Sequence, residues 1–135
     1  MKANLSRIAL LLILSALVAF ATSIVNAIPP QEKDPLQIDP VELHALLESR
    51  LVLWVDARSE DEYQTGHLSS ALLLNEENWN DLFPNLLDHW APDQTIVVYC
   101  SGATCELSKS VAIRLREEMG VENVFFLKDN WQKYR

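Results

Sequence analysis

Cys100 and Cys105 are the two cysteines of a 135-residue chain. Between them runs Ser101-Gly102-Ala103-Thr104, and Glu106 follows. Cys100 comes directly after the β-branched run TIVVY at 95–99, and a helical pattern starts a few residues later. A short loop of small residues between a strand end and a helix start can curl so that its N–H groups converge on one point. The helix N-terminus adds positive potential there. Both effects favour a thiolate, the nucleophilic form of cysteine. Ser101, Gly102, Ala103, Thr104, Cys105 and Glu106 are therefore the expected cradle for an anion or adduct on Cys100. The alternative is an inert, buried cysteine. Cys105 has two readings. As a resolving thiol it would attack an oxidised or sulfur-bearing Cys100 and close a disulfide; otherwise it is a small residue facing the helix interior. A bridge between the two would close a very short loop and stabilise little through chain entropy. That points to chemical rather than structural use.

Asp56 sits at a comparable strand end, after LVLWV at 51–55. Arg58, Glu62, Gly66 and His67 follow it and read as structural: Glu62 caps a helix, Gly66 ends it, and His67 makes a fixed hydrogen bond. His44 and His89 are too isolated to suggest a metal site, and no cofactor is expected.

The elements that position these residues alternate in type. Asp39 is a plausible N-cap with Pro40 at the first helical position and Glu42 reaching back. Leu43, Leu46 and Leu47 then form a helical stripe ending near Arg50. LVLWV is short and wholly apolar, as expected of a parallel strand covered on both faces. Ser59 and Glu62 form a second capping box before a helix of one or two turns. Residues 71–74 read as a strand. Residues 78–90 read as a helix broken or kinked by Pro84. TIVVY is a third strand, a helix runs to about Met119, Gly120 stops it, and NVFFL at 123–127 is the last strand. This order predicts an α/β domain with a mainly parallel central sheet flanked by helices. In such sheets the site lies beyond the carboxyl ends of the strands, where Asp56 and Cys100 stand.

Residues 1–27 carry Lys2 and Arg7, an apolar run over 8–21 interrupted by Ser15, and Val25-Asn26-Ala27 at a plausible cleavage point. This is a signal peptide or, at near-spanning length, an N-terminal membrane anchor. Either places the remainder in an exported, periplasmic or extracytoplasmic location, with membrane contact only through this segment. Residues 28–37 are a Pro-rich linker, and 38–135 the domain. The chain is 49% hydrophobic and 22% charged, with a net charge of −8. It is more acidic still without Lys2 and Arg7, which disfavours nucleic acid and anionic membrane surfaces as partners.

Residues Asp56-Ala57-Arg58-Ser59-Glu60-Asp61-Glu62-Tyr63-Gln64-Thr65-Gly66-His67 resemble, at every fixed position, the first signature of the rhodanese family, D-x-R-x-x-x-E-[FY]-x-x-G-H. Ala71, the run IVVYC at 96–100, the helix residues Ser108, Val111, Ala112 and Leu115, and Asn130-Trp131 extend the resemblance over about 36–135. It implies a three-layer rhodanese-like fold and a sulfurtransferase that forms a persulfide on Cys100. A small sulfur donor and a thiol acceptor, including a protein thiol, would be its partners, and the loop amides would stabilise the persulfide. Asp56, Arg58, Glu62, Gly66 and His67 would be structural. The loop departs from the family pattern C-x-x-G-x-R-[ST]. It is two residues longer, has no arginine, and carries Glu106, which repels anions and opposes a low thiol pKa. Lys109 is a candidate compensating cation. Phosphatase chemistry is disfavoured because Glu106 stands where an arginine would be needed. Two further readings stay open: a thiol–disulfide protein using Cys100 and Cys105, and a non-catalytic binding module.

Overall fold

The computed structural model describes residues 4, 7–16, 33–102 and 105–135. The chain divides into two units, residues 1–33 and 34–135. In the first, residues 7–16 are helical. Among the described residues no helix is long and apolar enough to cross a membrane. The expected signal or anchor at 1–27 lies largely outside the described residues, as do residues 28–32 of the expected linker at 28–37.

In the second unit the elements are α1 (Pro40–Glu48), β1 (Val52–Asp56), α2 (Glu60–Thr65), β2 (Leu72–Leu73), α3 (Trp79–His89), β3 (Thr95–Tyr99), α4 (Leu107–Met119), β4 (Val124–Phe126) and a closing 3-10 turn (Trp131–Tyr134). The four strands form one sheet in the order β2-β1-β3-β4, and every pairing is parallel. β1 and β3 pair along their whole length, from Val52 opposite Thr95 to Asp56 opposite Tyr99. Their carboxyl ends therefore finish level, with Ala57 N–H donating to the Tyr99 carbonyl at 2.9 Å.

Both strands are nearly all buried because both faces of the sheet are covered. Leu53, Val55, Ile96, Val98 and Cys100 face one side and pack with Val111, Ala112 and Leu115 of α4 and Trp79 and Leu86 of α3. Trp54, Val97 and Tyr99 face the other and pack with Leu43 of α1, Leu68 and Trp131. The strand period of two thus sends Tyr99 and Cys100 to opposite layers. The fold is α/β, a parallel sheet flanked by helices.

Helix starts follow side-chain chemistry. Asp39 Oδ1 accepts from Val41 N–H at 2.9 Å with Pro40 at the first position. Ser59 Oγ accepts from Glu62 N–H at 3.3 Å and donates to Glu62 Oε2 at 3.3 Å. Gly120 ends α4 in the left-handed region, φ 65°. Pro84 lies inside α3 without ending it. Burial of Trp79 and Leu86, on either side of it, holds the helix through the missing backbone bond.

Candidate active site

Cys100 follows the fully buried strand β3 and is itself 2% exposed. Its Sγ is bonded to Cys105 Sγ, with the two Cα atoms 6.2 Å apart. A turn brings them together: Cys105 N–H donates to the Gly102 carbonyl at 3.1 Å. The Cys105 carbonyl oxygen lies 3.5 Å from Cys100 Sγ. Ser108 Oγ also lies 3.5 Å from it. Ser108 is fully buried on the first turn of α4. In the bridged form its hydroxyl is the only donor of that pair, since the sulfur carries no proton. Ser108 thus joins the candidate site as a direct neighbour of Cys100 Sγ. Its spacing of eight from Cys100, at the start of a helix that packs on β3, is the sequence signal for it.

The other residues expected to cradle Cys100 divide. Ser101 is exposed, and its Oγ donates to Glu62 Oε1 at 2.9 Å. This bond, more than any other effect, holds the Glu62 carboxyl below its ordinary pKa. Glu62 is therefore both a helix cap and an anchor for the loop after Cys100. Glu106 is the residue before α4, exposed and without a capping hydrogen bond. Ala103 and Thr104 lie outside the described residues. Gly102 has open space where a Cβ would stand.

Lys109 is directed elsewhere. Its Nζ lies 2.6 Å from Asp34 Oδ2, and this pairing raises the lysine's pKa and lowers the aspartate's. The compensating cation foreseen for the loop is thereby engaged with Asp34.

Asp56 and Arg58 build the floor behind the loop. Arg58 donates from Nε to Asp56 Oδ1 at 2.9 Å and from Nη2 to Oδ2 at 2.6 Å, and its backbone N–H reaches Oδ1 at 3.0 Å. Asp56 is fully buried and Arg58 is 6% exposed. Hydrogen bonding to Asp56 is the main cause of the raised Arg58 pKa. The remaining reach of Nη2 goes to the Gly66 carbonyl at 2.8 Å. The guanidinium also stacks over Trp131, 4.6 Å from the ring centroid. Gly66 has φ 153°, and a Cβ there would stand 2.7 Å from Arg135 Nη2. His67 stacks on Tyr63 at 3.7 Å. Its Nδ1 lies 2.9 Å from the Tyr63 carbonyl, which only accepts, so Nδ1 carries the proton. Tyr99, whose burial pushes its phenol pKa up, accepts from Leu68 N–H at 3.1 Å. These residues hold the scaffold through bonds to one another and to backbone groups.

A cavity of about 150 Å³ adjoins the loop, lined by Ala57, Arg58, Ser59, Glu62, Asn75, Glu76, Glu77, Leu107 and Val111. Its floor is apolar and its rim carries three glutamates. Arg58 is committed to Asp56, and Glu76 is paired with Arg114 at 2.7 Å. Among the described residues no group of His, Cys, Asp or Glu is arranged to hold a metal.

Comparison with known proteins places these features among relatives. The model of the rhodanese-like domain matches residues 39–135. Two proteins named tRNA uridine(34) hydroxylase are each 29% identical to the chain. The one from Erwinia tasmaniensis aligns over 69% of this chain and 26% of its own length. The one from Cytophaga hutchinsonii aligns over 79% and 34%. The chain thus spans about a quarter to a third of these relatives. Among solved structures, the human single-domain sulfurtransferase aligns over 75% of this chain and 96% of its own, with TM-score 0.55 and 19% identity. The BH2092 protein of Bacillus halodurans aligns over 73% and 72%, with the same score and identity. At that identity the two structures establish a shared fold.

Proposed function

Because the chain belongs to the rhodanese-like domain family, we propose that Cys100 accepts sulfane sulfur as a persulfide and passes it to a thiol. One observation carries this reading. A cysteine stands at the carboxyl end of the central strand β3, beside the first turn of α4, with the Ser108 hydroxyl 3.5 Å from its sulfur. Reduced, that sulfur gains a hydrogen-bond donor and the positive end of a 13-residue helix, both of which favour the thiolate.

The charge of the surroundings argues for the donor class. Glu62 is tied to the loop, Glu106 directly precedes α4, and Lys109 is held by Asp34. Anionic donors such as thiosulfate meet repulsion without a compensating arginine. Neutral or cationic persulfides and polysulfanes fit better, as does a protein thiol persulfide. The tRNA substrate in the relatives' name is not carried over: a net charge of −8 opposes a phosphate backbone. The N-terminal apolar run supports an exported site of action.

The test is turnover. The reduced protein, given an alkyl persulfide donor and a small thiol acceptor, transfers sulfur catalytically, and Cys100→Ser does not. Equal rates for the two would refute the proposal.

A further inference from the structure

We infer that Cys105 is a resolving thiol built into the site: when no outside thiol takes the sulfur, it displaces the sulfane sulfur of the Cys100 persulfide as hydrosulfide. The inference rests on the persulfide reading above and names the fate of its sulfur. It starts from a juxtaposition. The bond between Cys100 and Cys105 places Cys105 within reach of the atom that carries the sulfane sulfur. The two residues differ in access. Cys100 is 2% exposed, whereas Cys105 is half-buried.

The Cys105 thiolate attacks Cys100 Sγ, the inner sulfur of the persulfide. The Sγ–Sγ bond forms and the bond from Cys100 Sγ to the sulfane sulfur breaks. The sulfane sulfur leaves with the electron pair as HS⁻. It is reduced by two electrons, and the two cysteine sulfurs are together oxidised by two. The product is the bridged pair of this structure. Recovery needs an external dithiol. One of its thiolates attacks the more accessible Cys105 Sγ, and Cys100 leaves as a thiolate beside Ser108 and the start of α4. The second thiol of the reductant then frees Cys105. The net reaction converts a persulfide and a dithiol into a thiol, hydrosulfide and a disulfide. In this cycle the long, arginine-free loop has a purpose: it returns a second thiol onto Cys100.

A single-turnover experiment tests this. Full-length protein is reduced, freed of reductant, and mixed with one equivalent of cysteamine persulfide. Released sulfide is trapped with bimane and the protein is weighed intact. Wild type is expected to release about one sulfide per chain and to end bridged, without retained sulfur. Cys105→Ser and Cys105→Ala are expected to keep the added sulfur and to release sulfide at background. Wild type that holds the persulfide, or sulfide release equal in wild type and both variants, overturns the inference and leaves the persulfide reading standing. No adduct in the variants and no sulfide from wild type overturns both.

Discussion

Ser101 Oγ donates to Glu62 Oε1 at 2.9 Å, joining two segments 39 residues apart in sequence. Through this bond the helix of the first signature holds the residue directly after Cys100. It also fixes a carboxylate beside the loop. Glu62→Gln keeps the shape and removes the charge. An exposed charge several ångströms away acts on the order of 0.5–1 kcal/mol. Transfer from thiosulfate should therefore rise roughly two- to five-fold in Glu62→Gln, with little change for cysteamine persulfide. Equal effects on both donors would count against an electrostatic role.

The same carboxylate has a pH signature. Its folded pKa is depressed, so its stabilising contribution is present above the ordinary carboxylate pKa and is lost as pH falls through the lower folded value. Glu62→Gln should flatten the acid limb of a urea-midpoint-versus-pH curve below about pH 4.5. The effect is small because the group is exposed. An unchanged acid limb would contradict it.

Ser108 bears on the thiolate more directly. A hydrogen bond to a charged group contributes about 1.5 kcal/mol, close to one pKa unit. In the reduced protein, Ser108→Ala should raise the midpoint of the Cys100 alkylation pH profile by about 0.5–1 unit. Removing a buried hydroxyl for a methyl leaves the packing of α4 intact. A profile that does not move would place Ser108 in the fold alone.

Much of this arrangement was legible from local chemistry. The capping pair Ser59 and Glu62, the apolar runs that became β1 and β3, and Gly120 at the end of α4 each follow from a short stretch of residues. What local reasoning could not supply depends on distant partners. Glu62 gains its second role from Ser101, and Lys109 is drawn to Asp34 rather than to the loop. Of a break or a kink at Pro84, the break does not occur: α3 continues through it, with Trp79 and Leu86 buried against the sheet on either side. The readings of Cys105 as resolving thiol or packing residue stayed level, since only the turn at Gly102 brings the sulfurs together.

The buried pair beneath the loop should govern stability rather than chemistry. Arg58→Ala leaves the Asp56 carboxylate buried without its partner, at a cost of about 3–5 kcal/mol in urea unfolding. The rate of Cys100 alkylation per folded molecule should stay near wild type. A loss below about 1 kcal/mol would mean that the pair is not the strut at the carboxyl end of β1.

Access sets the direction of reduction. Bridged protein mixed briefly with excess glutathione and then acid-quenched should carry the mixed disulfide on Cys105, the half-buried partner, rather than on Cys100. Peptide mapping decides between them, and glutathione found on Cys100 would reverse the assigned roles.

We propose Cys100 Sγ as the atom that receives sulfur. This is tested most directly by mapping sulfur onto the reduced Cys105→Ser protein after exposure to cysteamine persulfide. One added sulfur is expected on the peptide carrying Cys100, absent when Cys100→Ser is combined with Cys105→Ser. A Cys100 peptide that stays unmodified with alkyl persulfide, polysulfide and thiosulfate alike would contradict it.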